Sequence, residues 1–253
     1  MFGKLKRFIV GAAFDAHWTC AVCGREIFGE GYFCRECEKQ LPAIGENFCA
    51  HCGRELETPA PVCETCKNRL TEVDGGRSAF RYEGSARALV KKFKYGGAKW
   101  LAEVFALSLR EIYDKSGFSA DAAVSVPMLK KDIKKRGYNQ TDELLRAFSA
   151  LTGVPAAYPL EKRRLTKRQA TLAGKDRLKN LIGAFKITDK AAIEGKTVMI
   201  IDDVTTTGAT LQAVATALKN GGAKRVYALT IASVSRKGED KNPKNQGVAN
   251  GTD

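Results

Sequence analysis

Eight cysteines are the residues of this chain whose spacing predicts chemistry most directly. They form four CxxC motifs within one short segment: Cys20, Cys23, Cys34, Cys37, Cys49, Cys52, Cys63 and Cys66. The stretch CAVCGREIFGEGYFCREC returns 29 residues later as CAHCGRELETPAPVCETC, with the same CxxCGRE opening and the same ten-residue gap between its cysteine pairs. Two residues between cysteines let both sulfurs reach one ion, and four thiolates complete the tetrahedral shell of structural Zn²⁺. The repeat therefore predicts two structural Cys₄ zinc sites.

The spacing leaves the pairing of these motifs open. The motifs could bind metal locally, first with second and third with fourth, or in a crossed arrangement. The repeat favours local pairing, because each copy then closes its own site. Disulfides are the alternative to zinc, but they need an oxidising compartment. The N-terminal apolar run, residues 8–14, is short for a secretion signal and lacks a small-residue cleavage site. His51, inside the third motif, is expected to be a solvated neighbour of the metal.

A second segment with chemical potential is VMIIDDVTTTGATL, residues 198–211. An apolar strand over residues 198–201 is predicted to end at Asp202 and Asp203, at the sheet edge where α/β proteins bind ligands. Hydroxyls and backbone N–H groups then precede a predicted helix, which is a suitable cradle for a phosphate monoester. An ionised carboxylate accepts hydrogen bonds from hydroxyls, so the acidic pair fits the vicinal hydroxyls of a ribose.

Positive charge is concentrated outside the cysteine segment. The chain carries 42 Lys+Arg against 28 Asp+Glu, a net +14, yet residues 1–75 hold 9 basic and 11 acidic residues, which leaves +16 on residues 76–253. The basic residues form three clusters: Arg87, Lys91, Lys92, Lys94 and Lys99; Lys130, Lys131, Lys134, Lys135 and Arg136; and Lys162, Arg163, Arg164, Lys167, Arg168, Lys175, Arg177 and Lys179. Each cluster alone is typical of a solvated helix face, but three in one domain favour a polyanionic partner.

The elements that must position these residues follow from periodicity and from glycine and proline stops. Helices are predicted from residue 85 to 95, 99 to 115, 141 to 151 and 209 to 220, and strands at 77–82, 122–126, 198–201 and 225–233. A strand, a loop, a helix and a strand at 198–233 form a βαβ unit, which indicates a parallel sheet. With 44% hydrophobic residues the chain can bury a core, and the absence of an 18-residue apolar run excludes a membrane-spanning helix.

Four regions are expected along the chain. Residues 1–19 form an amphipathic N-terminal helix that packs on the zinc module or touches a membrane surface, residues 20–75 a double zinc ribbon, residues 76–235 the α/β domain and residues 236–253 a disordered tail. Gly75 and Gly76 are expected to close the zinc module. Reduced thiols and the failed secretion signal predict a cytoplasmic location.

Three segments resemble known families. Residues 198–211 resemble the 5-phosphoribosyl-1-pyrophosphate (PRPP) motif of type I phosphoribosyltransferases, apart from Thr205, which is polar where that motif is usually apolar. The zinc cysteines, SVPMLKKDIKKRGYNQ (125–140) and TKRQATLAGKDRLKNLIGAF (166–185) together resemble the ComF family of competence-associated double zinc ribbon proteins. The matching positions are Arg136, Gly137, Asn139 and Gln140, then Thr166, Gln169, Leu172, Arg177, Asn180 and Phe185. The resemblance covers about residues 20–234.

The resemblance implies an α/β fold: a type I phosphoribosyltransferase-like parallel sheet flanked by helices, with a small N-terminal double zinc ribbon. It implies that Asp202 and Asp203 hold the ribose hydroxyls of PRPP, with Mg²⁺ held mainly by PRPP oxygens and water. The loop from Val126 to Lys131, with its lysines and Arg136, would receive pyrophosphate. The residues implied around the 5′-phosphate are Thr206, Thr207, Gly208, Ala209 and Thr210.

Two functions follow as hypotheses. The first is DNA uptake or utilisation in natural transformation, by binding single-stranded DNA; the family resemblance also implies a competence helicase or other DNA-uptake proteins as partners. Tyr95, Trp100 and Tyr138 lie near basic runs and could stack on bases, although each is individually more typical of a core residue. The second is an active phosphoribosyltransferase that transfers phosphoribose to an acceptor that no motif names.

Overall fold

A five-stranded, all-parallel sheet with the order β1-β7-β6-β2-β3 organises the protein. The computed structural model describes residues 19–27, 31–67, 71–163 and 183–235. The strands of this sheet are β1 Gly75–Arg81, β2 Ala122–Ser125, β3 Ala156–Ala157, β6 Thr197–Thr205 and β7 Arg225–Ser233. A separate antiparallel pair consists of β4 Leu160–Lys162 and β5 Phe185–Ile187. The predicted parallel α/β sheet is thereby confirmed.

Helices connect and cover the strands. In chain order they are α1 Arg35–Lys39, α2 Glu64–Lys67, α3 Gly84–Tyr95, α4 Leu101–Ser116, α5 Lys130–Arg136, α6 Gln140–Thr152 and α7 Ala209–Asn220. The amphipathic pattern of α3 buries Ala86, Leu89, Val90 and Phe93, which is the face predicted from the sequence. Helix α6 begins where Asn139 Oδ1 accepts a hydrogen bond from the Thr141 N–H, a side-chain N-cap.

Strand β6 separates two apolar cores, because successive side chains of a strand point to opposite faces. Met199 and Ile201 pack into the core that contains buried residues of α3, α4 and α6. Val198 and Ile200 pack into the core that contains buried residues of α7 together with Phe185 of β5. Continuing the same alternation, Asp203 belongs to the α3 and α6 side and Asp202 to the α7 side.

The cysteine module packs directly onto β1. Single bridges pair Ala43 with Phe80 and Gly53 with Arg77, and the Gly76 N–H donates to the Ala50 carbonyl at 2.8 Å. A Cβ on Gly76 would lie 2.5 Å from the His51 carbonyl oxygen, so the approach requires glycine. Gly75 and Gly76 are therefore the first residues of β1, so the strand begins two residues earlier than predicted.

Other boundaries differ from the sequence predictions for identifiable reasons. Strand β6 runs through the acidic pair to Thr205, because β7 stays in register with it as far as Ser233. Lys130 and Lys131 open helix α5 and do not belong to an extended loop. The predicted N-terminal helix, the predicted tail and most of the 166–185 motif lie outside the described residues.

Candidate functional site

The eight cysteines form two clusters in the described structure. Each contains the four thiols of one repeat copy, with the ligand atoms within 4.8 Å of one another: Cys20, Cys23, Cys34 and Cys37 in the first, and Cys49, Cys52, Cys63 and Cys66 in the second. The pairing is thus local. None of the eight is in a disulfide. His51 belongs to neither cluster in the described residues, as expected for a neighbour of the metal, and its half-buried ring donates from Nδ1 to the Val73 carbonyl at 3.1 Å.

The sulfur geometry fits zinc. Cys23 Sγ lies 3.8 Å from Cys34 Sγ, and Cys52 Sγ lies 3.8 Å from Cys63 Sγ. Zn–S bonds of about 2.3 Å in a tetrahedron place neighbouring sulfurs about 3.8 Å apart. The chain carries two Cys₄ zinc ribbon sites, and zinc in them would be structural because four thiolates leave no open coordination position.

The predicted phosphate cradle lies between β6 and α7. Gly208 takes a left-handed conformation with φ of 75° immediately before the first residue of the 12-residue helix α7. The Ala209 N–H is 3.4 Å from Thr207 Oγ1, while Thr206 and Thr207 are exposed. A helix N-terminus with adjacent hydroxyls attracts an anion. Thr205, the position at which the sequence departs from the PRPP motif, is buried at the end of β6.

Asp203 is held by two donors that the sequence did not single out as site residues. Lys94 Nζ, from the last turn of α3, lies 2.6 Å from Asp203 Oδ1, and Gln140 Nε2 donates to Asp203 Oδ2 at 2.6 Å. Gln140 Oε1 accepts in turn from Arg136 Nη1. Burying a carboxyl group is costly unless such donors face it. Residues 136–140 therefore support Asp203 through Gln140.

Asp202 experiences a different environment from its neighbour. It is 8% exposed, and its Oδ1 accepts from the Asp203 N–H at 2.8 Å. Burial away from water, together with repulsion from the Asp203 carboxylate, raises the pKa of Asp202 to about 8. The two adjacent carboxyls are thus held differently: Asp203 forms an ion pair with Lys94, and Asp202 accepts from a backbone N–H.

The basic clusters frame this site in part. Lys130 and Lys131 are exposed at the start of α5, and the Arg136 guanidinium lies 5.1 Å from the centroid of the Tyr95 ring, which is 75% exposed. Trp100 is half-buried, and its ring lies 5.5 Å from Lys92 Nζ. Tyr138 is a core residue and cannot stack on a base, because it is 5% exposed and its hydroxyl donates to the Phe93 carbonyl. The third cluster is described only at Lys162 and Arg163.

Arg54 joins the zinc module to the phosphate loop. It follows the third CxxC motif, is 4% exposed, and its Nη2 donates to the Thr206 carbonyl oxygen at 2.7 Å. The sequence analysis missed this residue. Its only sequence signal is the CGRE repeat, which places Arg25 at the same position in the first copy, where the side chain is exposed.

Known proteins share both halves of this arrangement. Residues 16–74 match the family described as double zinc ribbon domain, and residues 133–253 match the family described as phosphoribosyl transferase domain. The chain is 30% identical over 218 residues to DNA utilization protein YhgH of Salmonella typhimurium, an alignment that covers 83% of this chain and 88% of that protein. The chain belongs to the ComF family.

Other relatives in the ComF family align over shorter stretches. Competence protein F of Haemophilus influenzae is 30% identical over 151 residues, covering 57% of this chain and 66% of that protein. Competence protein ComFC of Streptococcus pneumoniae is 29% identical over 156 residues, covering 61% and 66% of the two chains. In these two cases the chain spans slightly less than two thirds of the relative.

Solved structures overlap with part of the chain. A purine phosphoribosyltransferase from Pyrococcus horikoshii aligns with 53% of this chain and 74% of its own, at 18% identity and a TM-score of 0.33. A glutamine PRPP amidotransferase from B. subtilis aligns with 56% and 30%, at 16% identity and a TM-score of 0.36. Overlaps of this size carry no functional argument.

Among the helices of the described ranges, none combines the length and apolar character needed to cross a bilayer.

Proposed function

We propose that this protein acts in DNA uptake or utilisation, and that its α/β domain binds PRPP with Mg²⁺. The observation that carries the proposal is the arrangement around Asp203: a buried carboxyl group, held by Lys94 and Gln140, beside an exposed threonine loop at the start of α7. A carboxylate offers about four lone-pair positions. With one donor on each oxygen, acceptor capacity remains for ribose hydroxyls, while the loop accommodates the 5′-phosphate.

Each group of this chain has a defined role in the proposal. The N–H groups of residues 207–210 and the positive end of α7 attract the phosphate. Asp203 orients the ribose ring, and the ion pair with Lys94 holds the Asp203 side chain in place. Lys130, Lys131 and Arg136 attract the pyrophosphate. Mg²⁺, bound through PRPP oxygens and water, would neutralise the pyrophosphate charge; Lys94 already balances Asp203, which leaves that carboxylate a poor direct ligand for the metal.

Calorimetric titration with PRPP and Mg²⁺ tests this ligand. Asp203→Asn removes a charged acceptor and is expected to weaken PRPP binding about tenfold or more. Asp121→Asn is the matched control, because Asp121 accepts from the Thr197 N–H at the amino end of the same strand, away from the cradle. Absence of PRPP binding by the wild-type protein, or equal effects of the two substitutions, would contradict the proposal.

The nucleic-acid part of the proposal rests on exposed basic residues near the same site. Arg87, Lys91, Lys92 and Lys99 are exposed on or beside α3, Lys130, Lys131, Lys134 and Lys135 on α5, and Tyr95 stands between the two helices against Arg136. Lysine contacts to phosphates and an exposed aromatic ring for a base are the two elements of sequence-tolerant single-strand binding. A cytoplasmic location and a partner among DNA-uptake proteins belong to this proposal.

Single-stranded DNA binding is tested by its dependence on salt. The affinity of the wild-type protein is expected to fall steeply from 50 to 200 mM salt, as it does when several phosphates are contacted. Lys91→Glu and Lys131→Glu should each weaken binding and flatten the slope by about one contact, and Tyr95→Ala should weaken binding with an unchanged slope. Lys224→Glu makes the same charge change at the amino end of β7 and should have little effect. A flat salt response would remove DNA from the proposal.

A second candidate function, phosphoribosyl transfer, is favoured by the two adjacent buried carboxyls, Asp202 and Asp203, of which Asp203 forms an ion pair with Lys94. Neighbouring carboxyls in different environments are an arrangement found at catalytic sites. Exchange of labelled pyrophosphate into PRPP tests it, with Asp203→Asn as the variant that should lose exchange. PRPP binding without any exchange, under every acceptor tried, would leave a binding role alone.

A further inference from the structure

The second zinc ribbon, residues 49–66, contacts the phosphate loop, although the two are far apart in sequence. Arg54 Nη2 donates to the Thr206 carbonyl at 2.7 Å across 152 residues of chain. The Arg54 side chain is 4% exposed, so its charge is buried between the two segments. A buried guanidinium is stable only when strong hydrogen-bonding or charged partners lie within reach. The position of Arg54 and its partners therefore restrict the conformation of the phosphate loop.

The zinc ribbon supplies those partners on one side. The Cys52 side chain lies beside the Arg54 guanidinium, with Cys63 and Cys66 nearby. Four thiolates around one Zn²⁺ carry a net charge of −2, which favours an adjacent cation. Arg54 thus lies between a negatively charged metal site and the backbone of the loop.

The backbone turn that carries Arg54 is held rigidly. A Cβ on Gly53 would lie 2.5 Å from backbone atoms of Arg77, and the Gly76 N–H bonds to the Ala50 carbonyl at 2.8 Å. The turn that carries Arg54 is therefore in direct backbone contact with β1. Because β1 pairs with β7 and β7 pairs with β6, the turn and the phosphate loop share one sheet as their frame.

The hydrogen bond to the Thr206 carbonyl also fixes the orientation of the N–H group that follows it in the chain. In a planar trans peptide the N–H points opposite to the C=O. Holding the Thr206 carbonyl toward the zinc ribbon therefore directs the Thr207 N–H away from the ribbon, at the start of the loop that leads to α7.

We propose that Arg54 is a positioning residue for the phosphate loop, so that the second zinc ribbon forms part of the phosphoribosyl site. This inference rests on the proposed function, because it assumes that the loop binds a 5′-phosphate.

The first ribbon, residues 20–37, provides an internal control. Arg25 occupies the same place in the CGRE repeat, and the Cys20 N–H bonds to its carbonyl as the Cys49 N–H bonds to that of Arg54. Arg25 is exposed, whereas Arg54 is buried against the loop. Arg25→Ala and Arg54→Ala therefore remove the same group from the same local structure, and only the second severs a link to the site.

Calorimetry with two separate probes tests the proposal on the full-length, zinc-loaded protein. Arg54→Ala is expected to weaken binding of ribose 5-phosphate about tenfold or more, the loss of one charge-assisted hydrogen bond and the order it imposes. Binding of pyrophosphate, which is assigned to Lys130, Lys131 and Arg136, is expected to stay within twofold. Arg25→Ala should change neither affinity, and metal analysis should give two zinc ions per chain in all three proteins.

Hydrogen–deuterium exchange supplies a readout that is independent of ligand. The amides of residues 206–209 are expected to exchange faster in Arg54→Ala and in Arg54→Lys, which keeps the charge beside the thiolates without the fork of the guanidinium. Arg54→Lys also covers the case in which the alanine variant does not fold. It should retain both zinc ions and lose ribose 5-phosphate affinity selectively.

The outcomes separate this inference from the function on which it rests. Wild-type protein that binds neither probe contradicts the proposed function. Wild-type binding that Arg54→Ala and Arg54→Lys leave unchanged overturns the role of Arg54 and keeps the proposed function. An equal loss of ribose 5-phosphate and pyrophosphate affinity also overturns it, because a general structural defect would affect both probes alike.

Discussion

The two zinc ribbons of this chain have nearly the same local structure and very different surroundings. In both, the fourth residue after the first cysteine donates its N–H back to that cysteine's carbonyl, at 2.8 Å for Gly24 and 2.9 Å for Gly53. Equivalent antiparallel bridges join Thr19 to Glu26 and Phe48 to Glu55. The metal-binding turn is therefore determined locally, by the CxxCGRE segment itself.

The surroundings differ at several repeated positions. Cys23 is exposed, whereas its counterpart Cys52 is 9% exposed. Space for a side chain at Gly24 is open, whereas Gly53 touches the backbone of Arg77. The repeat therefore encodes the metal site, while the role of each copy depends on the surface against which it packs. The second copy is integrated with the sheet and the phosphate loop.

Single substitutions of equivalent cysteines, one in each ribbon, should give the largest difference in stability between the two ribbons. Cys52→Ser removes a zinc ion whose ribbon supports β1 and the loop, and the melting temperature is expected to fall by roughly 10 °C or more, since each kcal/mol corresponds to about 2–4 °C in a chain of this size. Cys23→Ser should also lose one zinc ion, with a smaller drop. Scanning calorimetry with metal analysis measures both, and equal drops would contradict the asymmetry between the ribbons.

An added methyl group at the repeated glycine should give the next largest contrast. Gly24 and Gly53 both have positive φ, 73° and 70°, so alanine costs each about 1–2 kcal/mol of backbone strain. Gly53→Ala adds a clash at 2.5 Å with the Arg77 backbone, worth a further 1–3 kcal/mol or so. Denaturant unfolding should show Gly53→Ala as the less stable variant. The reverse order would mean that the second ribbon does not pack on β1 as described.

The repeated glutamate should give the smallest contrast. Glu55 Oε1 lies 2.8 Å from Arg81 Nη1 of β1, in a pair whose side chains are 29% and 31% exposed. A pair this accessible contributes about 0.2–1 kcal/mol. Glu55→Gln should lower the free energy of unfolding by that amount, and Glu26→Gln, at the exposed equivalent position, by less. A measurable loss from Glu26→Gln alone would indicate that the first ribbon has a partner surface too.

The sequence predicted the parts of the molecule that local rules determine. The cysteine spacing predicted both metal clusters, and the bounds of α7 and β7 at Ala209–Asn220 and Arg225–Ser233 match the predicted ones, because glycines and apolar periodicity mark them. Strand β6 was predicted four residues too short at its carboxyl end. Asp202 and Asp203 look like a strand terminus by composition, and only pairing with β7 extends the strand through them.

The parts of the site that remained hidden depend on tertiary contacts. Lys94 had been counted only as one member of a basic cluster, and nothing in its neighbourhood distinguishes it from the exposed Lys92. It reaches Asp203 because α3 ends over the carboxyl edge of the sheet. Arg54 and Arg25 have the same local sequence, so no pattern could have assigned one to the phosphate loop. Position in the fold decides both cases.

The pairing of β1 with β7 has a consequence for how the chain is assembled. β1 follows the zinc module near the beginning of the polypeptide, yet its neighbour in the sheet is the last strand, with Gly75 opposite Tyr227 and Arg81 opposite Ser233. During synthesis the ribbons can bind metal early, but until residue 233 has left the ribosome β1 has only the zinc module to pair with, through Ala43 and Gly53. Long-range closure of this kind is slow. Zinc bound in the ribbons would therefore keep the early part of the chain ordered during the interval before β7 exists.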